Sequence, residues 1–423
     1  MVSLQNYRSK IFLSGLFLIG LAWVLIGCNQ PQSPEEYLDT AIDWIASNSI
    51  SAGDVNWDQV RSEAHLMTTS AQTYSDTYPA IEYALDQLPE SIHWFSKPED
   101  TADIRDYGLM VLETEHGATI INIDPNGPTA AAGLAIGDVI EMMEGSVPVP
   151  DDPDSPPPRL IYPEDEGQTL DLEILRAAGG ERKTLSLSAR ERAGRLSPSG
   201  RLIEDDRNSL GYINLAYDVG LDSKYAPMVQ EIIEELDSLQ TCGWVIDLRT
   251  TPFGDIWSYL AALGPFLGEG QMGGFLYPDG RRELWERKDS QVYWDGNKRY
   301  ESEEIDDDYP LQVENPPVAI LISPLTELAG ELVLVAFQGR ADVRTIGEAT
   351  RGHPHFQAVT SMSDGAIIST SGAYAFDRSG LLHKNSFEPD ENIAVDWQKI
   401  GQEDDPVLRT AQEWLLEHPQ CKE

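Results

Sequence analysis

Positive charge is scarce in this chain: 30 Lys and Arg stand against 71 Asp and Glu in 423 residues, a formal net charge of −41. Such a surface repels phosphate backbones and anionic bilayers over most of its extent, so no nucleic-acid role is expected. Histidine is sparse too. The seven His fall singly, and His353-Pro354-His355 lacks the glutamate and helical spacing of a zinc peptidase, so no metal is expected. Neither a phosphate-cradling glycine loop nor a dinucleotide fingerprint is present, and no cofactor is expected. What is plentiful is core-forming material: 41 % of residues are hydrophobic, with 10 Trp, 16 Tyr and 10 Phe. That is enough for two or three packed domains and excludes disorder as the default.

One long uncharged apolar run stands out. Arg8 and Lys10 precede it, it extends from Ile11 to Gly27, and Leu25-Ile26-Gly27-Cys28 has the small-residue-then-Cys form of a lipoprotein cleavage site. The run is shorter than the roughly 20 residues a spanning helix needs. Residues 1–27 therefore read as a lipoprotein signal peptide and Cys28 as the lipidated residue. The chain is expected in a bacterial cell envelope, outside the cytoplasm and held to a membrane by its lipid. Cys242 and Cys421 then remain, either paired or as two separate thiols.

Ser33-Pro34-Glu35-Glu36 has the form of a capping box with Pro at the first helical position, and Leu38, Ala41, Ile42 and Ile45 follow at helical spacing. Ile81, Ala84, Leu85 and Leu88 form a second stripe, so residues 28–96 are expected to be a helical domain. From residue 97 to 190 short strands replace helices. Gly127-Pro128-Thr129-Ala130-Ala131-Ala132-Gly133-Leu134 and Gly137-Asp138-Val139-Ile140 predict a small helix and a tight turn into a strand. Residues 147–163 are an acidic, Pro-rich loop. The segment resembles a bacterial PDZ domain. That resemblance makes Tyr107, Gly108, Leu109 and Met110 the loop that would offer backbone N–H groups to a polypeptide's C-terminus, the peptide adding a strand to the sheet.

Residues 191–400 alternate buried strands, such as Gly243–Leu248 and Pro317–Ile322, with helices expected over 225–239, 256–267 and 326–337, which is α/β wrapping. Residues 401–423 form a final helix capped by Asp405-Pro406. Three segments carry a wider likeness: Gly243-Trp244-Val245-Ile246-Asp247-Leu248-Arg249, Thr326-Glu327-Leu328-Ala329-Gly330-Glu331 and Gly347-Glu348-Ala349-Thr350-Arg351-Gly352. With them the mature chain resembles the tail-specific, or C-terminal-processing, serine peptidases. The resemblance implies an α/β fold with an N-terminal helical domain, a PDZ domain and a crotonase-like core of repeated β-β-α units.

The same resemblance places Leu328 where the family has its nucleophilic Ser, at the start of a helix after a buried strand. Leucine has no nucleophilic atom. In the oxyanion-loop position stand Pro252, Phe253 and Gly254, and Pro252 offers no N–H. His353 replaces the family's catalytic Lys, and His93 resembles the His of another branch. Thr326 and Ser323 are the nearby hydroxyls. The expected function is thus a catalytically inactive relative that binds polypeptides through its PDZ module and cleft. Two alternatives remain open: an active endopeptidase with Thr326, Ser323 or another Ser as nucleophile, and a binder of a small apolar ligand in the emptied cleft. Neither partner nor oligomeric state is legible.

Overall fold

The computed structural model describes residues 33–90, 92–98, 105–114, 116–143, 145, 159–160, 169–177, 180–188, 190–191, 197–204, 208–215, 224–237, 241–252, 254–300 and 309–422. The signal segment 1–27, Cys28, most of the 147–163 loop and Phe253 lie outside the described residues.

Helix α1 (Pro34–Asn48) begins where the sequence predicts. Ser33 Oγ accepts the Glu36 N–H at 3.1 Å, and the Glu36 carboxylate accepts the Ser33 N–H at 2.8 Å. With α2 (Trp57–Met67) and α3 (Tyr78–Leu85) it buries Leu38, Ala41, Ile42 and Ile81 against Ala366 and Ile368. The chain then departs from the helical expectation: His93–Ser96 is a strand, β1, paired with residues 367–370. Four residues after Pro89, the edge of a sheet supplies the backbone partners that a further helical turn would have provided.

Next come β2 (Arg105–Asp106), β3 (Leu109–Thr114), β4 (Gly117–Ile123), α4 (Pro128–Ala131), β5 (Val139–Met143), β6 (Arg159–Leu160), β7 (Thr169–Leu175), β8 (Arg182–Ser188) and β9 (Arg190–Glu191). Six of these strands form an antiparallel sheet in the order β6-β3-β4-β5-β7-β8, while β2 pairs with β9. Alternation divides β3 between two cores. Leu109 and Val111 face Ile120, Ile140 and Ile174, whereas Met110 and Leu112 face Ile121 and Leu325. The small sheet is thereby seated on the larger body.

That body contains β10 (Ser199–Glu204), β11 (Ser209–Asn214), α5 (Tyr225–Asp237), β12 (Thr241–Asp247), α6 (Ile256–Ala262), α7 (Gly264–Leu267), β13 (Gly270–Leu276), β14 (Arg282–Lys288), β15 (Gln291–Trp294), β16 (Asn297–Lys298), β17 (Val318–Ile322), α8 (Ala329–Phe337), β18 (Val343–Gly347), β19 (His355–Ser361), β20 (Ile367–Asp377), β21 (Leu382–His383), β22 (Glu391–Asn392) and α9 (Pro406–Glu417). The mixed α/β class expected from the alternation is the class observed. A sheet ordered β10-β11-β12-β17-β18-β22 is parallel from β11 onward. Its central strands β12 and β17 are buried along their whole length, as strands covered on both faces must be. One core joins Trp244 and Ile246 of this sheet to α5, α6 and α8, and onward to Phe275 and Trp285 of a second, antiparallel sheet built from β1, β13–β16 and β19–β21. On the opposite face α9 buries Val407, Leu408, Ala411 and Leu415.

Cys242 and Cys421 are joined in a disulfide, with Cα atoms 5.1 Å apart, so of the two arrangements the sequence leaves open the paired one is found. Among the described residues no helix is long and apolar enough to cross a membrane.

Candidate functional site

The site is assembled where β17 runs into α8. The helix is shorter at its head than the sequence predicts, starting at Ala329 rather than Thr326, and its N-cap is Leu328. Leu328 has φ 44° and ψ −106°, a positive-φ conformation that strains any residue carrying a Cβ and persists only where the surroundings impose it. The surroundings do so from both sides. Gly330 lets the first turn close on the preceding loop, since a Cβ there would come within 2.6 Å of the Thr251 carbonyl. The Glu327 N–H also donates to that carbonyl, at 3.3 Å.

Thr326, where the sequence predicts the helix to start, lies before it and is not its cap. Its Oγ1 donates to the Leu248 carbonyl at 2.9 Å and accepts the Ser323 N–H at 3.0 Å. Ser323 Oγ donates to the Arg249 carbonyl at 2.7 Å and accepts the Leu325 N–H at 3.0 Å. Both residues are fully buried. Their hydroxyls fasten the α8 loop to the loop after β12, and each hydroxyl proton is already donated to a carbonyl.

Below this point Arg249 is wholly buried between Asp247 and Asp405, with Nη2 2.6 Å from one carboxylate and 2.7 Å from the other. These partners hold its pKa well above the usual guanidinium range despite burial. Beyond Arg249, Thr250 Oγ1 accepts a hydrogen bond from Asn122 Nδ2 at 2.8 Å, a link into the small β3–β8 sheet. Pro252 is buried, and Gly254, with φ 149°, lines the cavity described below. Phe253 is not among the described residues.

On the far side of α8, Glu331 is buried and accepts from Thr350 Oγ1 at 2.5 Å, the Gly352 N–H at 2.8 Å and the His353 N–H at 2.7 Å. Burial outweighs those three donors and lifts its pKa to about 7. The His353 ring is engaged by Glu327 at 2.8 Å. His93 points elsewhere: Nδ1 contacts the Glu90 carbonyl at 2.9 Å and Nε2 lies 3.7 Å from Asp86. Its flanking residues Ile92 and Trp94 line a cavity of about 630 Å³ that also exposes Leu328, Gly254, Trp257, Phe275 and His355. Of the candidates read from the sequence, Leu328 and Gly254 thus share one cavity, while His93, His353, Thr326 and Pro252 do not line it.

His355 was not singled out by the sequence as a site residue. It is only 6 % exposed, lines the cavity, and has no protein hydrogen-bond partner for either ring nitrogen among the described residues. Burial, with the neighbouring His353 adding to it, pushes its pKa down to about 4; the Lys384 backbone opposes the shift from outside hydrogen-bonding geometry. The unfolded chain takes up this proton near pH 6.5, and the folded chain resists it until about pH 4. Stability from this group is therefore present above about pH 6.5 and lost as pH falls. Relative to His355→Gln, the wild type is expected to lose about 3 kcal/mol between pH 7 and pH 4, read from urea midpoints at each pH.

The 107–110 loop is placed against the body. The Tyr107 carbonyl accepts from Thr129 Oγ1 at 2.6 Å, Gly108 has φ 71°, and the Gly108 carbonyl accepts the Asp124 N–H at 3.0 Å. Met110 is fully buried against Leu325. One edge of β3 is taken by β4, and the other already pairs with β6 at Met110↔Leu160 and Val111↔Arg159. A polypeptide adding a strand beside Met110 would have to displace β6, a constraint the sequence does not reveal.

Residues 209–393 match the family model described as Peptidase family S41. Over this segment the chain is similar to the S41 peptidases. The matched segment contains β11 to β22, and with them the Arg249 and Leu328 loops and every lining residue of the cavity except Ile92 and Trp94. The chain is 24 % identical over 187 residues to the nisin-resistance protein of Lactococcus lactis subsp. lactis, a match spanning 43 % of this chain and 57 % of that protein. It is 25 % identical over 337 residues to the carboxyl-terminal-processing protease of Synechocystis sp., spanning 75 % of this chain and 71 % of the relative. In fold it is similar to a putative S41 protease from Bacteroides fragilis, with a TM-score of 0.61, 16 % identity, and coverage of 89 % of this chain and 96 % of that one. Among the described residues no group of three or more His, Cys, Asp or Glu is placed to hold a metal ion.

Proposed function

We propose that this chain is a non-hydrolytic S41 relative, exported and lipid-anchored through Cys28, that binds extended polypeptide in the cleft beside Leu328. The observation that carries the reading is Leu328 itself. It occupies the strained positive-φ N-cap of α8, where the resemblance to tail-specific peptidases puts the nucleophile, and it offers carbon where attack on a carbonyl needs oxygen or sulfur. The neighbouring hydroxyls do not substitute, because Ser323 and Thr326 donate their protons to the Arg249 and Leu248 carbonyls. Pro252 brings no N–H to the loop that would hold an oxyanion. His353, in the general-base position, is tied to Glu327.

Polypeptide as the ligand class is supported by the carboxyl-terminal-processing relative and by the apolar cleft. The strand order of the small sheet within 105–191 supports the PDZ reading of that segment. Its β3 edge is paired with β6 at Met110 and Val111, which supports the cleft over that edge as the binding surface. Export is supported by the 1–28 segment and by the Cys242–Cys421 disulfide, a bond that persists in oxidising compartments.

The test is equilibrium binding of an unstructured polypeptide, followed by electrophoresis of the recovered ligand. The expected result is saturable binding with the ligand intact, weakened at least tenfold by Leu328→Arg, which puts an unpaired charge into the apolar cleft. Binding unaffected by that change would place the ligand elsewhere, and shortened ligand would contradict the non-hydrolytic reading.

A further inference from the structure

We propose that the cavity beside Leu328 is a pocket for a tyrosine side chain of the bound polypeptide, with His355 pairing the phenol hydroxyl. This rests on the polypeptide-binding reading and specifies its ligand. The first support is the rim. Trp94 and Val359, 45 % and 56 % exposed, are two of the few large apolar side chains left in solvent among the described residues. Both are in register with Ser369 of β20, one on each side of it, so they stand together at the mouth of the cavity. Exposed apolar surface concentrated at a cavity mouth is the pattern of a binding site, not of incidental surface residues. The cavity, about 630 Å³, is of ligand-pocket size.

The second support is independent and concerns polarity. The polar side chains on the β19–β20 wall satisfy one another: Ser369 Oγ donates to Gln357 Oε1 at 3.1 Å, and Gln357 Nε2 donates to Ser371 Oγ at 3.3 Å. His355, 6 % exposed, stands apart from that chain, and neither of its ring nitrogens has a hydrogen-bond partner among the described residues. A neutral imidazole presents one donor and one acceptor, and a buried polar group left unpaired is costly. A hydroxyl can donate or accept, so it pairs with whichever nitrogen faces it. A carboxylate ligand is disfavoured by Asp255 in the lining and by the net charge of −41. The occupant that combines a flat apolar body for Trp257, Phe275 and Phe356 with a single neutral hydroxyl at its tip is a phenol, and in a polypeptide that is tyrosine.

The experiment uses the full chain in detergent and unstructured fluorescent peptides differing at one position, which holds Tyr, Phe, 4-methylphenylalanine or Ala, with affinity read by anisotropy. Tyr is expected to bind about tenfold tighter than Phe or 4-methylphenylalanine, the worth of one hydrogen bond to an otherwise unpaired buried group, and Ala weakest. His355→Leu is expected to bring the Tyr-to-Phe ratio close to one. If that variant does not fold, the comparison of Tyr with 4-methylphenylalanine in the wild type decides, because the two match in volume and differ in the hydroxyl. Equal affinity for those two overturns the role of His355 while polypeptide binding stands. Absence of binding by every peptide overturns both readings.

Discussion

Asp405→Ala is expected to lower the unfolding free energy by about 3–5 kcal/mol. Arg249 and Asp405 are each fully buried, and the guanidinium reaches Asp405 at 3.1 and 2.7 Å and Asp247 at 3.0 and 2.6 Å. Removing one carboxylate leaves a guanidinium without its full complement of charge in a site that water does not reach, and that uncompensated cost exceeds anything the pair itself contributes. Asp405 also accepts the Val407 and Leu408 N–H groups at the head of α9, so the same substitution removes a helix cap worth about 1 kcal/mol. The effect should reach the cleft, because the Arg249 carbonyl holds Ser323 and hence the turn that ends in Leu328. Urea unfolding of Asp405→Ala beside Asp405→Asn separates the two parts, the amide oxygen keeping the cap while losing the charge. A loss under 1 kcal/mol in the alanine variant would mean that the pair is hydrated and the description of this core wrong.

Removing the Cys242–Cys421 bond should be nearly as costly, about 2–5 kcal/mol. The two cysteines are 179 residues apart in sequence, and the bond closes the matched segment from β12 onward, together with α9, into one loop. A cross-link over so long a stretch withdraws more freedom from the unfolded chain than one over a short loop. Cys242 is the second residue of the central strand β12 and Cys421 follows α9, so the bond pins the terminal helix to the sheet it covers. The paired alanine variant, unfolded beside the wild type with and without reductant, checks this. Identical midpoints for all samples would show that the bond carries no stability.

Much of the architecture was legible because local signals and tertiary packing agree. The Ser33–Glu36 box, the apolar runs of β12 and β17 and the Asp405-Pro406 cap each specify their element within a few residues. The antiparallel sheet was not legible. Its strands carry Gly273-Gly274, charged residues in Arg282–Lys288 and half-exposed patterns, which resemble connecting loops until long-range pairing is known. The same holds for β1, whose four residues become a strand only because β20 offers an edge.

At the site, Leu328 was legible through its neighbours Thr326 and Ala329-Gly330-Glu331, but its positive-φ backbone was not, since leucine gives no local reason for it. His355 was missed because a lone His two residues after another carries no periodic signal. Its meaning lies in burial and in the absence of a hydrogen-bond partner among the described residues, which are properties of packing. The occupied edge of β3 was hidden for a similar reason, β6 being two residues long within an acidic, Pro-rich loop.

The most direct test of the central claim is hydrolysis of an unstructured protein by the purified chain, run with fluorophosphonate labelling and beside Leu328→Ser. The account predicts that the wild type neither shortens the substrate nor takes the label, because the atom at the head of α8 is a carbon and the nearby hydroxyls are committed to backbone carbonyls. Cleavage together with labelling of the wild type would contradict it, and the labelled residue would identify a nucleophile other than the one Leu328 replaces.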